Sequence, residues 1–226
     1  MKTPTRYARY ILPVLIDLAM RNKAARTERA RFVPLARGVT LEIGVGSGLN
    51  IPYYSSEIEK LYALDPSEEL LRKAVRLSKR STFPVVPLCH PAERIPLPNA
   101  SIDSVVMTWT LCSIADPLAA LAEIRRVLTA DGKLIFIEHG RAADAAVVRW
   151  QDRLTPIWRR FTGGCHLNRP IDSLLAHGGF AAPGIEKSYV PGPRFGSYFY
   201  RGIARSVFNP PQNVQAAPAN GGRNGR

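Results

Sequence analysis

Cysteine, acidic side chains and long apolar runs are all scarce in this chain. Cys89, Cys112 and Cys165 are its three cysteines and stand far apart, so spacing offers neither a disulfide framework nor a CxxC redox or metal pair. No metal site is expected, and reduced cytoplasmic thiols fit this usage. Asp and Glu number 18 against 31 Lys and Arg, a formal net charge of +13. Such a surplus draws nucleic acid, anionic membrane or acidic substrates. The basic residues are scattered, however, and that reads equally well as a solvated face. No apolar run reaches the roughly 18 to 20 residues that a spanning helix needs. The most apolar stretch, Tyr10 to Met20, holds Pro13 and Asp17, and no small-residue cleavage site follows it. It is expected to be one amphipathic helix continuing from Arg21 to Arg31, packed as a lid over residues 1–35 or, alternatively, lying on a membrane surface. Internal repeats are absent.

What is present is an alternation. Apolar runs of strand length are separated by helical patterns, the signature of βαβ units. Val39 to Ile43, Leu61 to Leu64, Pro84 to Leu88, Ser101 to Met107 and Lys133 to Ile137 read as strands. Ser67 to Lys79 is a crossover helix with Ser67 as N-cap and an inward face of Leu70, Leu71, Ala74, Val75 and Leu77. Pro117 to Leu128 is a second, with Leu118, Leu121, Ile124, Val127 and Leu128 inward, stopped by Asp131-Gly132. Ala145 to Phe161 reads as helical despite Pro156, and Ile171 to Ala176 is a shorter helix ended by Gly178-Gly179. Ile185 to Val190 and Ser197 to Ile203 alternate like an antiparallel pair. The predicted fold is therefore an α/β doubly wound sheet, mostly parallel with an antiparallel edge pair, in one domain over residues 36–208. Residues 209–226, rich in Pro, Asn, Gln, Ala and Gly, are predicted to be a disordered tail.

The first strand runs into Glu42-Ile43-Gly44-Val45-Gly46-Ser47-Gly48. Closely spaced glycines after a strand let a ligand approach the backbone. A dinucleotide fingerprint needs glycine or alanine where this chain has Leu49, and a P-loop needs a Gly-Lys-Ser/Thr ending that is missing. Asp65 ends the next strand about 20 residues on, where a carboxylate accepts from both hydroxyls of a ribose. The ligand implied is a phosphate-free nucleoside bearing a methionyl ammonium and carboxylate. Glu42 either organises the loop and the ammonium or caps nearby backbone amides; Asp65, before Pro66 and Ser67, either binds ribose or forms a helix-capping turn.

From about Val39 to about Glu138 these motifs resemble the methyltransferase type 11 (UbiE-like) domain of class I S-adenosylmethionine-dependent methyltransferases: Leu-Glu-Ile-Gly-x-Gly-x-Gly, Leu-Asp-Pro-Ser, Ala92-Glu93, Leu97-Pro98, Ser101-Ile102-Asp103, and Glu123 to Leu128 followed by Asp131-Gly132-Lys133. A narrower likeness, carried by Gly48 to Tyr54, Thr110 to Ser113, Glu138-His139 and Gly164 to Arg169, is to the microsomal thiol methyltransferase group and its bacterial relatives. The resemblance implies a Rossmann-like, seven-stranded fold and S-adenosyl-L-methionine as cofactor. It further implies that Gly44, Gly46 and Gly48 contact the methionine portion, Asp65 and Pro66 the ribose region, Ala92 and Glu93 the adenine region, and Thr108 and Trp109 the sulfonium side. Many relatives place an aspartate before the Ala-Glu pair, where this chain has Pro91, so adenine recognition here would rest on backbone groups and packing.

Methyl transfer from a sulfonium needs alignment and exclusion of water more than a strong base. Where the acceptor must lose a proton, His139 at the carboxyl edge of the sheet is the candidate base, with a merely hydrogen-bonded strand-end histidine as the other reading. Cys112 and Cys165 are read as small core residues. Tyr53, Trp150, Trp158 and His166 are candidates for an acceptor pocket, the tryptophans lying among Arg149, Arg153, Arg159 and Arg160; simple packing of that helix is the alternative. The expected function is methylation of a small apolar or amphipathic acceptor, a thiol, a phenol or quinone precursor, or a lipid head group. The protein would be cytoplasmic, with peripheral contact to anionic membrane as an option. A cofactor-binding non-catalytic partner is a second reading. An RNA methyltransferase is a third, disfavoured because Thr108-Trp109-Thr110-Leu111 replaces the Asn-Pro-Pro-Tyr type motif and no RNA-binding module is appended.

Overall fold

The computed structural model describes residues 11–207. Its elements run α1 (Leu12–Ala19), α2 (Lys23–Phe32), β1 (Gly38–Ile43), β2 (Ile58–Leu64), α3 (Glu68–Ser78), β3 (Val85–Leu88), β4 (Ile102–Thr108), α4 (Pro117–Val127), β5 (Leu128–His139), α5 (Ala145–Phe161), α6 (Ile171–His177), β6 (Phe180–Ala181), β7 (Glu186–Tyr189) and β8 (Tyr198–Ser206). The sheet order is β3-β2-β1-β4-β5-β8-β6. β1 through β5 pair in parallel and β8 enters antiparallel to β5. This is the doubly wound sheet with an antiparallel edge. Among the described residues it has eight strands where seven were expected. The extra one is the two-residue β6, which meets β8 at Ser206 and Arg205, while β7 meets it from Arg201 to Tyr198. β6 and β7 thus lie in tandem along one edge of β8 and share a single position.

Period-2 alternation sorts the core onto the two faces of the sheet. Val105 and Met107 of β4 with Leu134 and Phe136 of β5 join Leu121 and Ile124 of α4. Val106, Ile135 and Ile137 point the other way, against Phe32 of α2 and Leu71 and Ala74 of α3. The helix caps are those the residue types favour: the side chains of Ser67 and Asp116 accept from the backbone N–H of Leu70 and Ala119 at 3.3 and 3.0 Å.

Several expectations need correcting. The N-terminal segment is two helices, because the side chain of Asn22 accepts the Ala25 N–H at 2.9 Å and starts α2 afresh. Asp131-Gly132 does not stop α4 ahead of a later strand; the chain passes from Val127 straight into β5 at Leu128 and keeps those two residues within it. Leu118 of α4 and Val75 of α3 face solvent. Residues 1–10 of the expected lid, Phe208 and the expected tail 209–226 lie outside the described residues.

α5 keeps its helix through Pro156 and buries a polar stripe, Gln151 and Thr155. Gln151 accepts the Ala142 N–H at 2.9 Å and donates to the carbonyls of Gly140 and Phe195 at 2.9 and 3.0 Å, fixing the helix to the end of β5. Its apolar residues Trp150, Ile157 and Phe161 face outward, each about 60 % exposed.

Candidate active site

A cavity of about 590 Å³ opens at the carboxyl ends of β1, β2 and β4, the edge at which open α/β sheets bind ligands. Its walls include Gly44 to Ser47 of the glycine loop, Glu42, Asp65, Pro66, Ala92, Glu93, Thr108 and Trp109; Gly48, expected at the cofactor, is not on the wall and packs closely on Ile51 and Ala74 instead. α1 supplies Leu12, Pro13, Ile16, Asp17 and Met20, and the end of α5 adds Thr162 and Gly163.

The loop turns off β1 through left-handed backbone at Gly44 and Gly46, φ +70° and +55°. A Cβ on Gly44 would fall 2.2 Å from Thr110 Oγ1, whereas one on Gly46 would meet nothing nearer than the Gly44 carbonyl oxygen at 4.0 Å. Asp65 fastens this loop: Oδ2 accepts the Gly46 N–H at 3.0 Å and Oδ1 the Ser67 N–H at 2.9 Å. Burial raises its pKa while these two hydrogen bonds pull it back. The carboxylate anchors the turn into α3, as the capping reading expects, and it also lines the cavity.

Beneath the loop lies a buried polar network that the sequence did not announce. Glu42 accepts from Asn50 Nδ2 at 2.9 Å and from the Tyr54 hydroxyl at 2.7 Å. Asn50 also donates to Thr108 Oγ1 at 3.0 Å and accepts from Arg29 Nε at 2.9 Å. Burial pushes the Glu42 carboxyl up to about 7, against those hydrogen bonds and the Arg29 charge. The Arg29 guanidinium stacks on the Trp109 ring, 4.9 Å from its centroid, and lines the cavity. One chamber therefore holds a fixed cation, four carboxyl side chains (Asp17, Glu42, Asp65 and Glu93) and an uncovered glycine backbone. That donor set suits a zwitterionic amino acid joined to a nucleoside.

Glu138, fully buried at the end of β5, was also missed. Its Oε1 accepts the N–H groups of Thr110 and Leu111 at 2.8 and 2.9 Å, and Oε2 that of Cys112 at 3.4 Å. It shapes the loop after β4, in which Trp109 takes the left-handed φ of +50°. Burial pushes Glu138 up to about 7 as well. In sequence it stood in the Glu138-His139 pair with no role of its own assigned to it.

The candidate base and acceptor-pocket residues fall elsewhere. His139 is not on the cavity wall: Nε2 lies 3.0 Å from Cys165 Sγ and Nδ1 is enclosed without a partner. It is not placed to take a proton from an acceptor in this chamber. Trp150 is exposed, and Trp158 sits edge-on to Phe195 at 5.9 Å. His166 Nδ1 faces the Cys112 carbonyl at 3.2 Å. Neither they nor Tyr53 line the cavity. Its apolar side comes instead from α1, Ile114 and Trp109, placed there by the packing of the N-terminal helix.

Residues 41–136 match a family described as a methyltransferase domain. Over 133 residues the chain is 32% identical to the thiol S-methyltransferase TMT1B of Rattus norvegicus, covering 57% of this chain and 54% of that protein. The human TMT1B is 27% identical over 197 residues, 82% of this chain and 80% of the relative. The chain thus spans about half the length of the rat relative. Among solved structures, a SAM-dependent methyltransferase of Thermotoga maritima superimposes with a TM-score of 0.61 at 22% identity, over 88% of this chain and 99% of the other. Residues 41–136 thus match a methyltransferase domain, and the sheet that carries their glycine loop and Asp65 has the fold of solved SAM-dependent methyltransferases.

Proposed function

We propose that this chain methylates a small apolar or amphipathic acceptor, and that the acceptor is a thiol. The observation carrying this is the composition of the acceptor side of the cavity: Leu12, Ile16, Met20, Ile114 and Trp109 are apolar, and His139 lies outside. A thiol suits such a wall because it ionises near neutral pH by itself, whereas a phenol or hydroxyl would need help from a base. The relatives named thiol S-methyltransferases support the same choice.

Bound in the cavity, the cofactor would supply a sulfonium methyl group, which the thiolate sulfur takes by in-line attack as the sulfonium carbon bond breaks, leaving a neutral thioether on each side. The residues align and dehydrate. Gly44 and Gly46 would receive the methionine portion, Arg29 its carboxylate, Asp65 and Pro66 the ribose region, Ala92 and Glu93 the adenine region, and Thr108 and Trp109 the sulfonium side. α1 with Thr162 and Gly163 is the lid that excludes water. Exposed Val14, Leu15 and Leu18 on α1, with Ile157 and Phe161 on α5, surround this mouth with apolar surface. An acceptor partitioned into an anionic bilayer would reach the mouth from that side. No helix among the described residues is long and apolar enough to cross a membrane.

The test is an acceptor panel of alkyl and aryl thiols, phenols, quinol precursors and phosphatidylethanolamine, read by formation of S-adenosylhomocysteine. Turnover with thiols above all others is the expected result. Turnover confined to phenols or to the lipid head group overturns the thiol assignment. Cofactor binding without turnover on any acceptor makes the chain a binding partner, and methyl incorporation into RNA makes it a nucleic-acid enzyme.

A further inference from the structure

Three side chains that are remote in sequence converge behind the cavity. Cys112 lies in the loop after β4, His139 ends β5, and Cys165 follows α5. Their ligand atoms all lie within 4.8 Å of one another. The parallel pairing of β4 with β5 sets the first two side by side. The backbone then locks the third in place, since the His166 N–H donates to the Cys112 carbonyl at 2.9 Å. Cys89, the remaining cysteine, is exposed elsewhere.

Ordinary core packing does not explain the trio. His139 Nε2 stands 3.0 Å from Cys165 Sγ, and Nδ1 is enclosed without a partner. A buried imidazole nitrogen left unpaired costs free energy and calls for a specific reason. Arg169, half-buried, donates to the carbonyl of Leu111, the residue before Cys112.

We propose that Cys112, His139 and Cys165 form a binding site for Zn²⁺. Two thiolates and an imidazole are the soft and borderline donors this ion selects, and the two thiolates neutralise it. Tetrahedral zinc with Zn–S near 2.3 Å and Zn–N near 2.0 Å sets its ligands about 3.6 to 3.8 Å apart, a spacing between the 3.0 Å of His139 Nε2 to Cys165 Sγ and the 4.8 Å within which all three ligand atoms lie. Three protein ligands leave a fourth position for water or another small donor. Cys112 adjoins Ser113, and Cys165 lies two residues beyond Gly163, both on the cavity wall. The ion would tie the loop after β4 to the segment after α5, holding together the two sides of the mouth. Spacing alone gave no hint of this, because each ligand comes from a different element.

The test uses the full chain, reduced and stripped with EDTA, titrated with Zn²⁺ in competition with a chromophoric chelator and separately with Co²⁺. One equivalent should bind, Zn²⁺ should raise the melting temperature, and Co²⁺ should show thiolate-to-metal charge-transfer absorption. Cys165→Ser and His139→Asn alter the less enclosed ligands and should each weaken binding more than about 100-fold, beyond the 10–100-fold typical of losing a group that only supports a ligand. Cys89→Ser should leave it unchanged. The wild-type cobalt spectrum reports the thiolates without any variant, so a misfolded mutant cannot mask the answer. The site is overturned if the wild type shows no thiolate charge transfer, if binding survives Cys165→Ser, or if protein purified under reducing conditions carries a Cys112–Cys165 disulfide.

Discussion

The Asp65 carboxylate accepts the backbone N–H of Gly46 at 3.0 Å, so the acidic end of β2 sets the conformation of the glycine loop that follows β1. Asp65→Ala removes that anchor together with the ribose contact assigned to it. Calorimetric affinity for S-adenosylmethionine should fall at least about tenfold, the equivalent of about 1.4 kcal/mol. An unchanged affinity would sink the ribose assignment.

Gly44 and Gly46 adopt similar backbone for different reasons, and alanine separates them. A left-handed φ costs a non-glycine residue about 1 kcal/mol. Gly44→Ala adds a collision with Thr110 Oγ1 at 2.2 Å, so its melting temperature should drop the further of the two. Gly46→Ala meets nothing nearer than the Gly44 carbonyl oxygen at 4.0 Å and should lose little beyond that backbone cost, yet its methyl group projects where the cofactor would approach. Its loss should therefore be in cofactor affinity. If the two variants lose stability and affinity in the same proportion, Gly46 is a turn residue and no more.

How much of this was legible in the sequence depends on whether a feature is local. The alternation of Val105, Val106 and Met107, and of Leu134 to Ile137, announced two-sided strands, and Ser67 and Asp65 stood where caps and ribose ligands belong. Asn22 was legible and overlooked, being a capping type placed just before a helical run. The Arg29–Asn50–Glu42 network could not be read, because its members meet only when α2 packs across the sheet. The same limit misassigned Trp150 and Trp158: their spacing among arginines fits a pocket wall or a solvent face equally well, and only the buried stripe of Gln151 and Thr155 shows which side of α5 faces in.

Glu42 makes stability depend on pH in the direction opposite to an exposed carboxylate. Its folded pKa of about 7 lies above the roughly 4.3 of an unfolded glutamate. The folded state therefore binds the proton more tightly, and the stability this confers, present below about pH 4.3, is lost as pH rises towards 7. At about 1.4 kcal/mol per pH unit the full effect is about 4 kcal/mol. Chemical denaturation of the wild type and Glu42→Gln between about pH 5 and pH 8 should give a stability difference that shifts in favour of the variant as pH rises. Parallel curves would show that Glu42 stays ionised throughout.

If the acceptor ionises unaided, its own pKa governs the rate. With saturating cofactor, kcat/KM should rise with pH and level off at the pKa of the thiol in use. Replacing an alkyl thiol by a more acidic aryl thiol should move the midpoint down by the difference between their pKa values. A midpoint that stays fixed across thiols would reveal a base in the protein and return the search to the cavity wall.

The last prediction joins stability to the site. Glu28 of α2 and Arg201 of β8 form an ion pair at 3.3 Å with both side chains 7% exposed. Arg201 has a second partner in Glu186 at 3.4 Å, but that carboxylate is about half exposed. Removing one member of a buried pair strands the other charge, at about 3 to 5 kcal/mol, and Glu186 should hold the loss from Glu28→Ala near the lower figure. Urea denaturation would measure it; a loss under about 1 kcal/mol would mean that water replaces the carboxylate. Replacing the pair with Glu28→Leu and Arg201→Met should recover most of the stability, since apolar packing rivals a buried ion pair. Arg29, the next residue, rests on the same helix and reaches Asn50 and Trp109 from it. The single variant should therefore bind S-adenosylmethionine more weakly, and the double variant should recover that affinity along with the fold. Stability restored without affinity would mean that the charge of Glu28, and not only the seating of α2, orients Arg29.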